Sequence, residues 1–340
     1  MGKFNKGGLV GGFDELTQGA TSNRSGVWNL RTQSQAANAG TWGDRVVFLI
    51  GSQDADGIDF FNITSFGDSK DFGNLSVSRN GGAVGAFGSY TRAVFSGGHD
   101  GSATSNVIDY VTIASTGNAT DFGDMNVAGY YGASYSSQTR GINHSGYSAA
   151  AGYLNRIEYV TIASTGNGTD FGDDTQARNY CEGVCSTTRG IAYGGNNTGS
   201  NPIDVISYIT IDSTGNATDF GDLLSATREI SGGASSGTRG VMAGGVTSAG
   251  EINVIQYITI ASTGNSTDFG DLTAVRKMMG GTDNQVRGVF TNGHNASTHV
   301  NILEYITIAS TGNGADFGDS TTASYGSAAT SDSHGGLTNA

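Results

Sequence analysis

The sequence predicts an all-β protein, and within that class a β-propeller built from repeats of about 49 residues. Three observations carry the expectation. First, the stretch 107–124, VIDYVTIASTGNATDFGD, returns as a near-copy five times, and its Asp-Phe-Gly triplets begin at Asp71, Asp121, Asp170, Asp219, Asp268 and Asp316. The steps are 50, 49, 49, 49 and 48 residues, which is too regular for independent domains. Second, each unit holds four short apolar or Gly-rich segments. Third, no helical period of useful length occurs anywhere.

The second copy serves as template. Residues 80–89 (NGGAVGAFGS) are small and Gly-rich and form the first segment. Residues 92–98 (RAVFSGG) are apolar and end in a glycine pair. Residues 107–114 (VIDYVTIA) read as a strand by β-branched content and alternation, and 120–125 (TDFGDM) as a short fourth strand. Between the last two lies STGN, a turn in which Gly and Asn accept positive φ. The other copies keep the order. Arg45, Arg92, Arg140, Arg189, Arg239 and Arg287 open the second segment. Phe60, Tyr110, Tyr159, Tyr208, Tyr257 and Tyr305 mark the third, and Phe72, Phe122, Phe171, Phe220, Phe269 and Phe317 the fourth. A four-stranded blade cannot bury both of its faces alone. Blades set around an axis cover one another, so these aromatics are expected to pack between blades.

Ring closure follows from the ends. Full copies run over about 31–322, with 1–340 read as one propeller domain. The tail ASYGSAATSDSHGGL looks like the first strand of a further blade, KGGLVGG (6–12) like a second strand, and SGVWNL (25–30) like a fourth. The expectation is therefore seven blades, the last a composite of 1–30 and 323–340, with six blades as the alternative. Closure of this kind removes open sheet edges. HGGL (334–337) competes with KGGLVGG for the second-strand position.

Strand alternation then places the near-identical STGN turns on one face. The links between second and third strands fall on the other: 52–57, 99–106, 148–155, 196–202, 246–253 and 294–301. These differ in every copy. Binding residues tend to sit on loops held by a rigid scaffold, so a ligand is expected on the varied face.

Composition narrows the function. The net charge is −13, which disfavours nucleic acid, and no apolar run reaches membrane-spanning length. The first 18 residues hold no apolar core of signal-peptide length before the first acid, so secretion by a cleaved leader is not expected. Cys181 and Cys185 lie four residues apart in a segment read as a strand. That separates them by roughly 13 Å, beyond the about 7 Å a disulfide spans, so two free thiols are expected. His99, His144, His294, His299 and His334 fall in different copies without metal-ligand spacing. Catalytic carboxylate pairs occur once in a ring, whereas the DFGD aspartates occur six times. They are expected to cap turns or pair with the repeated arginine. Asn118, Asn167, Asn216 and Asn265 lie in glycosylation sequons but are expected to serve the turn. No catalytic, cofactor-binding or metal-binding residue is therefore nominated, and no cofactor is expected.

The segments RAVFSGG (92–98), RGIAYGG (189–195) and RGVMAGG (239–245), each followed by an aromatic on the next two strands, resemble the kelch-type propeller. The kelch tryptophan is replaced by the Phe of DFGD. The copper-oxidase branch of that fold uses a Cys, Tyr and His constellation that this sequence does not supply. More narrowly, the TIASTGNATDFGDL-type repeat is similar to kelch-like repeats of virion and tail-associated proteins of marine bacteriophages. The resemblance covers about 30–322. It implies a non-enzymatic virion structural protein located in the phage particle: a decoration, knob or tail-accessory subunit that acts as a protein-interaction or host-recognition scaffold. The implied partners are other virion proteins and a host-surface glycan or receptor. The alternative is a carbohydrate-binding propeller lectin.

Overall fold

The computed structural model describes residues 44–51, 54–79, 85–99, 102–296 and 298–337. Among these the chain forms six four-stranded antiparallel blades and no helix. Blade II is the simplest: Gly85–Gly88 is innermost, followed outward by Arg92–Ser96, Val107–Thr112 and Thr120–Asp124. Blades III to VI repeat this, with innermost strands Ala133–Ser136, Glu182–Cys185, Ser231–Ser235 and Gly280–Asp283.

Blade I differs. Its second, third and outer strands are Arg45–Gly51, Asp54–Asn62 and Lys70–Asn74, but its innermost strand is Ala329–Ser331 from the far end of the chain. Val47 pairs with Thr330. The six innermost strands touch in unbroken circular order, and Ala329–Ser331 sits between Gly280–Asp283 and Gly85–Gly88. That closes the ring at six, so the seven-blade expectation is corrected to its six-blade alternative. The C-terminal strand does close the ring, but it completes the first repeat instead of opening a further blade. Residues 1–30, expected in the closing blade, lie outside the described residues. HGGL is not a strand; it caps the axis. His334 Nε2 lies 3.0 Å from the Gly88 carbonyl, and the Gly335 amide donates to Asp283 at 2.7 Å.

Six apolar clusters fill the six interfaces between blades. Between blades III and IV, Ile142, Ile157 and Phe171 meet Ala192, Ile209 and Ile211. The six DFGD phenylalanines are buried, each edge-on to the aromatic of its own third strand at 5.9–6.3 Å. Burying one such ring contributes about 1.5–3 kcal/mol.

The repeated polar residues bind blade to blade. In each turn the glycine amide donates to the DFGD phenylalanine carbonyl of the preceding blade: Gly117 to Phe72, Gly166 to Phe122, Gly215 to Phe171, Gly264 to Phe220, Gly312 to Phe269, and Gly67 to Phe317 at closure. The turn asparagine reinforces this. Asn118, Asn167, Asn216, Asn265 and Asn313 each accept, through Oδ1, the amide of the residue two past that phenylalanine, at 3.0–3.1 Å. Asp68 does the same at closure. These asparagines do not occupy positive φ; their place in the turn is set by the neighbouring strand. The outer strand's free edge is thus covered by the next turn, which answers the hazard of an open edge.

The repeated arginines do not pair with the DFGD aspartates. Arg92, Arg140, Arg189, Arg239 and Arg287 instead donate to the Ile162, Ile211, Ile260, Ile308 and Ile63 carbonyls of the following blade at 2.7–3.0 Å. Four of them lie over their own blade's tyrosine at 4.3–4.5 Å, a cation–π contact, and Arg287 lies 4.9 Å from Tyr305. The guanidinium is already held on two sides, and the first DFGD aspartate points to solvent.

Candidate functional site

Turns of the STGN kind occupy one face with the links between inner and second strands. The opposite face carries the variable segments and the connections between blades. Several of the segments expected as loops are extended hairpins. In blade III strands Arg140–Ser148 and Gly152–Thr161 continue past Ser145 and Gly146, which stand in place of the glycine pair, and in blade V strands Arg239–Thr247 and Gly250–Thr259 continue past Gly244 and Gly245. The bulge they cross is a left-handed pair: first-position φ is 60–64° at Gly97, Gly194 and Gly244, and second-position φ is 105–114° in blades II to VI. Ser145 and Asn292 tolerate the first position; only glycine fills the second.

Beneath this face lie buried ion pairs. Alternate inter-blade connections carry Arg79, Arg178 and Arg276. Arg79 bonds Asp109 at 2.7 Å, and Arg276 bonds Glu304. In blade IV the acid has moved. Ser207 stands where Asp109 and Glu304 stand, and Asp174 in the connection takes the role, bonding Arg178 and Ser207 each at 2.7 Å. His144 Nε2 lies 3.1 Å from the same carboxylate, and its Nδ1 lies 2.6 Å from the Tyr135 hydroxyl. Burial alone raises Asp174, but Arg178, His144 and the Ser207 hydroxyl outweigh it and hold the carboxyl well below the usual carboxylate range. Asp174, Arg178 and His144 are fully enclosed, so this network organises the connection and offers no reacting group to solvent.

The accessible chemistry lies at the mouth of the axis. Among the described residues, five connections each pass through one left-handed residue just before the inner strand. These are Tyr131 (φ 56°), Tyr180 (φ 54°), Glu229 (φ 49°), Met278 (φ 52°) and Gly326 (φ 73°). They are joined by backbone bonds: the Tyr180 amide donates to Tyr131 O at 2.7 Å, Met278 to Glu229 O at 3.3 Å, and Gly326 to Met278 O at 2.8 Å. Together with Glu182, Ile230 and Met279 they surround a cavity of about 40 Å³. Left-handed non-glycine residues carry a steric penalty of roughly 1–2 kcal/mol each. Gly326 shows that the fold accepts glycine here, yet four positions present large side chains.

Electrostatically the mouth is acidic but muted. Burial pushes Glu182 up to about 8, offset in part by the hydrogen bond from the Gly183 amide. Burial, Tyr180 and Tyr325 push Tyr131 far above the usual phenol range, and burial with Glu229 pushes Tyr180 up to about 12. Glu229 is paired with Lys277 at 2.8 Å, and Lys277 also approaches Glu251 at 3.8 Å. On the far side Tyr325 contacts His299 at 4.7 Å and His294 at 6.1 Å. Among the described residues no group of three His, Cys, Asp or Glu side chains is placed to hold a metal ion. Cys181 and Cys185 are both free thiols, buried and pushed up to about 12 by that burial.

The mouth residues were not nominated from the sequence, which directed attention to the links between second and third strands. Tyr130, Tyr131, Tyr180 and Tyr325 sit instead in the connections between blades. Their signal was present: they are tyrosines out of phase with the repeat.

Fold and mouth together define a six-bladed β-propeller with one repeating and one individual face. No protein-family model matches the chain, and no curated protein matches it.

Proposed function

We propose that the chain is a non-enzymatic recognition scaffold that binds its partner through the varied face. The supporting observation is the set of four large side chains, Tyr131, Tyr180, Glu229 and Met278, held at strained backbone positions around one mouth of the axis. Strain of this kind persists where the surroundings impose it, and it clusters at binding sites. The opposite face is committed to holding blade to blade. The finer reading rests on the resemblance of the repeat: a bacteriophage virion component, a decoration, knob or tail-accessory subunit, with other virion proteins as neighbours and a host-surface glycan or receptor as target. Mass spectrometry of density-purified particles tests it. The chain is expected at a fixed copy number per particle, and its absence from such particles overturns the virion reading.

A further inference from the structure

Nine of the 14 tyrosines fall outside the repeated third-strand position. Five of these nine form one connected band across blades II to IV on the varied face. Tyr130 contacts Tyr131 at 4.8 Å and Tyr147 at 5.6 Å, and Tyr147 contacts Tyr153 at 5.4 Å. Tyr131 stacks on Tyr180 at 4.2 Å with 23° between the planes. His99 extends the band, 5.3 Å from Tyr130. The residues come from four separate stretches: a hairpin base, two inter-blade connections and the blade III hairpin. The repeat does not require them, yet they converge. Each ring is half-buried, so its orientation is fixed by neighbours while part of its surface stays open.

We propose that this tyrosine band is a binding site for a neutral saccharide, one site per chain. The assignment rests on the recognition reading above and names its ligand class. Tyrosine supplies a flat, rigid, amphipathic surface with little rotamer entropy to lose, apolar in the ring and polar at the hydroxyl. That matches a pyranose ring, which has an apolar C–H face and an edge of hydroxyls. Tyr153 Oη already meets the exposed Ser200 Oγ at 2.8 Å, so a donor–acceptor pair stands at the rim. The exposed large aliphatic residues of this face, Val77, Leu224 and Val275, lie in the other connections. Among the described residues, a protein partner docking on the band would meet no fully exposed aliphatic anchor. The net charge of −13 favours a neutral glycan over an acidic one. The band occurs once in the ring, which separates this site from a lectin with six equivalent sites.

The test is an array of neutral and acidic bacterial-surface oligosaccharides probed with the full chain, followed by calorimetry on the best-retained glycan. Variants are Tyr130→Ala, Tyr153→Ala and Tyr180→Gly, with Thr214→Lys on the repeating face as control. Tyr180→Gly keeps a residue suited to its left-handed backbone, as Gly326 does in the connection between blades VI and I. Expected are retention on neutral glycans, one site per chain, at least tenfold weaker binding for the three tyrosine variants with unchanged melting, and no change for Thr214→Lys. Retention only on acidic glycans, no retention, several equivalent sites, or folded tyrosine variants with full affinity each overturn the assignment. A cell-binding assay separates its failure from that of the wider reading. If Tyr130→Ala lowers binding to susceptible cells while periodate oxidation of their glycans does not, recognition by this face stands and the saccharide is wrong.

Discussion

The amide of Gly166 in blade III donates to the carbonyl oxygen of Phe122 in blade II at 2.8 Å. Its counterpart occurs at every junction of the ring. This bond explains why the most regular stretch of the sequence is regular. The TGN of one blade and the DFGD of the preceding blade are two halves of one joint, so neither half drifts without the other.

The joint is tight on one side only. A Cβ on Gly123 stands 2.5 Å from Gly166 O at φ 147°, whereas a Cβ on Gly166 meets nothing within 4 Å. Gly123→Ala is expected to lower unfolding free energy by about 2–4 kcal/mol. Gly166→Ala should stay within about 0.5 kcal/mol. Urea denaturation of the pair measures both.

The asparagine of the joint should be replaceable by aspartate and not by alanine. Asn216 accepts the Asp173 amide at 3.0 Å in an exposed setting, and Asp68 fills the same role at ring closure. Asn216→Ala is expected to lose about 0.5–1.5 kcal/mol and Asn216→Asp less, by the same denaturation assay.

The buried network of blade IV should resist single changes. Arg178→Met leaves the Asp174 carboxylate enclosed without its main partner and is expected to destabilise by about 3–5 kcal/mol. The double change Asp174→Leu with Arg178→Met restores the apolar residue found in blades IV and V, at Leu223 and Leu272. It should recover a substantial part of that loss. Chemical denaturation of the two variants decides it.

Asp283, beneath the C-terminal cap, sets a pH dependence. Burial pushes it up to about 7, only partly offset by bonds from Ser235, Gln285 and Gly335. A carboxyl whose folded pKa exceeds its unfolded value holds more protons when folded. Its contribution is therefore present below about pH 4 and is lost as pH rises to about 7. His334 runs oppositely. Burial lowers it to about 4, so its contribution is lost as pH falls from about 6.5 toward 4. Asp283→Asn removes the first effect. The stability of this variant relative to wild type is expected to climb from pH 4 to pH 7. Melting across that range reads the slope, and a flat difference contradicts the assignment.

Much of this fold is legible in the sequence because propeller blades repeat their physics. Phase, strand order and the inter-blade phenylalanines follow from the 49-residue period and the alternation. Blade number is harder, since the tail around Ala329–Ser331 matches the inner strand of the first blade as well as that of a seventh. Only circular contact between inner strands decides it. The role of Asn118 and its equivalents also needed three dimensions, because its partner strand lies about 43 residues earlier. The mouth residues escaped for a different reason. Tyr131, Tyr180, Glu229 and Met278 share a backbone conformation and no side-chain chemistry, so an identity-based repeat search passes over them. Likewise the move of the acid from Ser207's position to Asp174 reads as two unrelated differences until the shared arginine is seen.

The central claim is that recognition belongs to the varied face and assembly of the ring to the repeating one. It is tested most directly by photo-crosslinking from one residue on each face, Tyr153 and Thr165, with the purified chain mixed with cells that retain it. The expected result is cell-dependent adducts from position 153 and none from position 165. Cell-dependent adducts from position 165 alone would contradict it.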